Sequence, residues 1–107
     1  MTVHDADALD SLSVDTDRRE VVLGIVVPGP LRGARRLADA LVAKTNLYVA
    51  WLGSGDLERD HPATAGLERV IEVVHEGPAD AAGQALIRQL ADQLRPLGVA
   101  IRAVPAA

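Results

Sequence analysis

Few side chains in this sequence are of a type and spacing that could do chemistry. Asp56, Glu58, Asp60 and His61 crowd one stretch, and oxygen ligands beside an imidazole are the makings of a divalent-metal site. Their spacing matches no calcium loop, so the stretch reads as a solvated acidic loop. His75 and Glu76 are an acid–base pair by type, but adjacent residues of a strand point to opposite faces, so His75 reads as a surface histidine. No serine sits in a nucleophile elbow, because Leu52 stands where Gly-x-Ser-x-Gly would need a glycine ahead of Gly53-Ser54-Gly55. The Gly29 to Gly33 spacing lacks both the lysine of a phosphate loop and the three-glycine dinucleotide fingerprint. Cysteine is absent, which removes thiolate metal sites, disulfides and a cysteine nucleophile. No converging nucleophile and base can be named, so the expectation is a chain that is not an enzyme and carries no metal and no cofactor.

Two further groups have a binding reading. Arg32, Arg35 and Arg36 lie beside Gly29 and Gly33 at the start of a predicted helix, where free backbone N–H groups and cations can receive an anion. The same arginines also suit ion pairs across an interface. Tyr48 and Trp51, the two aromatic residues, lie three apart in an apolar run; on a strand they would point to opposite faces, as separate packing or interface anchors.

The elements that must hold these residues follow from the apolar pattern. Val21–Val27 is a β-branched run of strand length that stops at Pro28-Gly29-Pro30. Leu31, Ala34, Leu37, Ala38, Leu41 and Val42 recur at helical spacing, which predicts a helix over roughly 30–44. Leu47–Leu52 reads as a second strand ended by Gly53-Ser54-Gly55-Asp56, and a long polar loop follows. Arg69–His75 is a third strand, Ala82, Leu86, Leu90, Ala91, Leu94 and Leu97 mark a second helix begun near Pro78, and Val99–Val104 is a fourth strand. Gly29-Pro30 returns as Gly77-Pro78, so the chain reads as a duplicated βαβ–βαβ unit. The expected class is α/β in the broad sense (α+β): a ferredoxin-like, four-stranded, mostly antiparallel sheet with two helices on one face. Residues 1–19 are acidic and poor in large apolar side chains and read as a flexible arm, with a single domain over 20–107.

Composition narrows the partners. A net charge of −4 and 2% aromatic residues argue against nucleic acid, and no stretch reads as a signal peptide or a membrane span, so a cytoplasmic protein is expected. Neither Val21–Val27 nor Leu47–Leu52 alternates with polar residues, yet two helices cover only one face of a sheet. A further copy of the chain is the simplest cover for what remains, because large apolar patches are seldom left in water. A dimeric binding module for a small anion or a partner protein is the competing expectation.

The stretch from Leu23-Gly24-Ile25 through Leu31, Ala34 and Ala38-Asp39-Ala40-Leu41-Val42 to Asn46-Leu47 resembles the opening of bacterial microcompartment shell proteins. Leu47–Leu52, Val70–Gly77 and Ile101-Arg102-Ala103-Val104-Pro105 are similar to that family's later strands, although its edge lysine would fall at Ala43, one place before Lys44. The resemblance implies a cyclic homo-oligomer, usually a hexamer, tiling with other shell proteins around encapsulated enzymes in a cytoplasmic microcompartment. It also implies a pore lined by Gly53, Ser54 and Gly55, with Asp39, Lys44, Arg32, Arg35, Arg36, Tyr48 and Trp51 as candidates for the subunit edges.

Overall fold

Three of the β-branched runs become the parallel core of a sheet. In the computed structural model, which describes residues 2–5 and 8–106, the elements are β1 (Ser11–Asp15), β2 (Glu20–Val27), α1 (Arg35–Ser54), α2 (Asp56–Asp60), β3 (Glu68–His75), α3 (Ala81–Leu94) and β4 (Val99–Pro105). The four strands lie in the order β1-β2-β3-β4. β1 runs antiparallel to β2, while β2–β3 and β3–β4 are parallel. The chain is thus a mixed α/β fold with a four-stranded sheet and three α-helices among the described residues.

Two expectations are corrected here. Leu47–Leu52 is not a strand but the last turns of α1, which runs on past residue 44 to Ser54. A six-residue apolar run has no periodicity to separate strand from buried helix, and nothing between Lys44 and Leu47 breaks a helix that already exists. With that strand removed, both connections become helical crossovers between neighbouring parallel strands, so the sheet is mainly parallel instead of mostly antiparallel.

The acidic N-terminal stretch also has defined structure. Ser11–Asp15 pairs with β2 from Ser11↔Gly24 to Asp15↔Glu20, and Val3 is only 1% exposed. The Val3 N–H donates to the Val26 carbonyl, which carries the chain farther along the same edge. Asp7, counted among the arm's acids, lies outside the described residues.

Right-handed crossovers in the same direction place α1 and α3 on one face of the sheet. Val21, Leu23, Ile25 and Val27 of β2, Ile71 and Val73 of β3, and Val99 and Ile101 of β4 meet Leu41, Tyr48, Leu52, Leu90 and Leu94 from the helices in a single aliphatic core. At the carboxyl ends of the strands the two glycine-proline turns lock together. The Leu31 N–H donates to the Pro78 carbonyl and the Asp80 N–H to the Leu31 carbonyl. Asp80 then caps α3 by accepting from the Gly83 N–H at 2.6 Å. Pro78 therefore precedes the helix by three residues and does not form its first turn. His75 is buried, not superficial: its Nδ1 lies 2.6 Å from the Gly77 carbonyl oxygen and ties the end of β3 into this turn.

The second face of the sheet carries Val22 and Val26, from the run expected to need a partner, with Val70, Val74 and Val104 beside them. Part of it is sealed by the chain itself. Arg102 on β4 donates to Glu72 of β3 at 3.0 Å and to Glu20 of β2 at 3.2 Å. The second contact spans β3, over Val70, which is 3% exposed. Burial works against the charged guanidinium, but the hydrogen bond to Glu72 and the charge of Glu20 more than offset it, so Arg102 holds its proton more firmly than usual.

Candidate docking groove on the first helix

A buried polar network fixes the side of the molecule where α1 meets the N-terminal segment. Lys44 projects inward from α1 and its side chain is wholly buried, as is that of Asp10. The ammonium donates to Asp10 Oδ1 at 2.7 Å and to the backbone carbonyls of Thr2 at 3.0 Å and Asp5 at 2.5 Å. Three donors meet three acceptors, which is the condition for keeping a lysine charged out of water. Asp10 Oδ2 accepts from the Val26 N–H at 2.9 Å, so both carboxylate oxygens are engaged.

Tyr48, one turn farther along α1, completes the network. Its hydroxyl donates to the Gly24 carbonyl at 2.8 Å and accepts from the Asp10 N–H at 3.0 Å. Burial pushes the phenol up to about 12, because the phenolate would lose its solvation there. A Cβ on Gly24 would meet Ser11 Oγ across the β1–β2 pair, so a side chain there would require Ser11 to turn aside. At the start of the segment, the Thr2 N–H donates to Asp5 Oδ2 and holds that carboxyl below its usual range.

Beside this network lies an open groove of about 570 Å³ lined by Leu9, Leu47, Tyr48, Ala50, Trp51, Ser54, Asp56 and His61. Its walls are largely apolar, and its position follows from the network: Asp10 sets Leu9 on one side, and α1 supplies Leu47, Ala50 and Trp51 on the other. The rim is polar, but most of its groups are already committed. Ser54 Oγ donates to the Trp51 carbonyl and accepts from the Asp56 N–H, and Asp56 pairs with Arg59 at 2.7 Å. His61 is exposed.

The outward side of α1 continues the groove. Val42 is 37% and Leu47 40% exposed, and Ala43 and Ala50 are exposed beside them, whereas Lys44 and Thr45 are fully buried. This half of α1 is therefore apolar on both sides: Leu41, Tyr48 and Leu52 face inward with Lys44 and Thr45, and Val42 and Leu47 stay part-exposed where an ordinary surface helix carries polar residues. Thr45 Oγ1 is buried without a hydrogen-bond partner among the described residues, a further cost to the folded chain.

The residues singled out in the sequence are distributed as follows. Tyr48 and Trp51 do come together on the groove, because three residues apart on a helix share a face. Lys44 and Tyr48 are internal, so they are removed from the subunit-edge candidates. Gly53 and Ser54 form the last turn of α1 and Gly55 is its left-handed cap, with φ +83°. Arg35 pairs loosely with Asp39 at 3.8 Å on the exposed side, while Arg32 and Arg36 have no carboxylate partner among the described residues. Asp56, Glu58, Asp60 and His61 form no metal-holding cluster among the described residues; Glu58 pairs with Arg69 at 3.0 Å. Sequence reading missed Asp10 and Leu9. The signal that could have found Asp10 is Lys44 itself, since a lysine inside a run as apolar as Ala40–Leu52 calls for a buried carboxylate.

No curated protein and no solved structure matches this chain. A family model does match it, over residues 1–106, so that the N-terminal segment, the network and the groove all fall inside one family unit. The chain belongs to DUF6572, a family of unknown function.

Proposed function

We propose that this protein is a non-catalytic assembly module that docks a second copy of itself on the outward face of α1 and the adjoining groove. The observation that carries the reading is that α1 is apolar on its outer as well as its inner side, with Val42 and Leu47 part-exposed while Lys44 and Thr45 are buried. Exposing apolar side chains on a helix that hides a charge costs stability twice, and a partner surface recovers the first part. The groove gives that surface concavity, with Trp51 as an aromatic anchor of the kind that dominates protein interfaces.

Self-association is also what the likeness to shell proteins implies. The tile with a pore at Gly53, Ser54 and Gly55 required a strand over 47–52, and that stretch is helical. The reading proposed here therefore keeps the assembly and leaves the pore aside. Light scattering on the purified chain over a dilution series tests it. A mass of two or more chains at micromolar concentration that falls to one chain in Leu47→Glu supports the proposal, and a wild-type monomer throughout overturns it.

A further inference from the structure

The charges at the two ends of α1 say how the second copy is oriented. We infer that two copies pair with their α1 helices antiparallel, about a two-fold axis that passes close to Asn46 and Leu47. This deepens the self-association proposed above and rests on it.

A helix macrodipole favours acids near its first turn and bases near its last. α1 has neither: its first turn holds Arg35 and Arg36 with no acid, its last turn has no base, and α2 follows at once with Asp56 and Glu58, paired with Arg59 and Arg69, and Asp60, which has no cationic partner among the described residues. Arg32 adds a third cation ahead of the helix. With Arg35 paired to Asp39, the charges left over are Arg32 and Arg36 at the start of α1 and Asp60 beyond its end; these add to the helix's own dipole instead of cancelling it, so the outward side of α1 is a rod more positive at its start than at its end.

Two such rods attract when antiparallel and repel when parallel. The apolar patch of Val42, Ala43, Leu47 and Ala50 lies between the charged ends, and Asn46 faces outward among them. With the axis near Leu47, Arg36 of one copy lies about 16 Å from it along α1, on the side where the other copy's α1 ends and its α2 begins. A two-fold arrangement also lets each copy's Leu47 approach the groove of the other, so one contact is made twice. The exposed small side chains of Ala43 and Ala50 leave room for the close approach of a second helix.

The chain has no cysteine, so single cysteines introduced on α1 report the geometry directly. A residue on the axis of an antiparallel pair meets its own copy, and disulfides form only across Cα separations of up to about 7 Å. Under mild oxidation Asn46→Cys is expected to give a covalent dimer. Asp39→Cys and Ser54→Cys are each expected to stay uncrosslinked alone and to crosslink when mixed. If light scattering shows an oligomer but Asn46→Cys does not crosslink, or Asp39→Cys crosslinks to itself, the antiparallel pairing is overturned while self-association stands. If the wild-type chain is a folded monomer, both fail together.

Discussion

Lys44 Nζ lies 2.7 Å from Asp10 Oδ1 with both side chains wholly out of solvent, and this pair joins the middle of α1 to a segment 34 residues earlier. The ammonium also gathers the carbonyls of Thr2 and Asp5, so one side chain anchors the N-terminal segment at three points. Its removal leaves a buried carboxylate without a counter-ion. Lys44→Met is expected to lose about 3–5 kcal/mol of unfolding free energy, read from urea denaturation. A loss under about 1 kcal/mol would mean that the segment is not held by this pair.

Tyr48 gives a tyrosinate titration that can be assigned to a single residue, because it is the one tyrosine in the chain. An ordinary phenol loses its proton near 10, whereas Tyr48 is pushed up to about 12. Between those values the unfolded chain has released a proton that the folded chain keeps, so rising pH favours unfolding. The stability is complete below pH 10 and declines toward pH 12, by on the order of 2 kcal/mol. Tyr48→Phe is expected to remove this part of the decline and to cost about 1–3 kcal/mol at neutral pH, since the Asp10 N–H and the Gly24 carbonyl lose their partner. Ultraviolet titration of tyrosinate should show a midpoint well above that of free tyrosine; a midpoint at the free value contradicts the buried hydroxyl.

Arg102→Ala is expected to lower the urea midpoint modestly. The ion pairs with Glu20 and Glu72 are partly exposed and contribute about 1 kcal/mol at most, and this part should shrink in high salt. The loss of the arginine stem over Val70 adds an apolar part that salt does not remove. A destabilisation that vanishes completely in salt would show that Val70 is covered by something else.

Gly83→Ala tests the lock between the two glycine-proline turns. The new Cβ would meet the Leu31 carbonyl oxygen, which is backbone and cannot swing aside. Although alanine is the better helix former, this substitution is expected to destabilise by about 1–3 kcal/mol through overpacking. A neutral or stabilising result in thermal unfolding would show that Leu31 and α3 are not in contact.

Much of the sheet was legible because β2, β3 and β4 are β-branched runs bounded by glycine and proline, and α3 because Leu86, Leu90, Ala91 and Leu94 form one stripe. The second half of α1 was not, for the reason that makes it interesting. A helix with Val42, Leu47 and Ala50 on its outer side and Leu41, Tyr48 and Leu52 on its inner side has no polar face to reveal its period. The groove could not be read either, since Leu9 reaches it only through the pairing of Asp10 with Lys44, and a composition-based reading counts Asp10 as one more solvated acid. Trp51 and Tyr48 were recognised as anchors, but on a strand they would have faced apart.

Sedimentation velocity on the wild-type chain and on Leu47→Glu, at micromolar concentration and moderate salt, tests the central claim most directly. Leu47 is 40% exposed, so its replacement should leave the folded chain intact, as checked by circular dichroism. The account predicts a two-chain species for the wild type and a one-chain species for the variant, with the emission of the single tryptophan, Trp51, shifting to the red as the groove is uncovered. Identical one-chain boundaries for both proteins, with unchanged Trp51 emission, would contradict it.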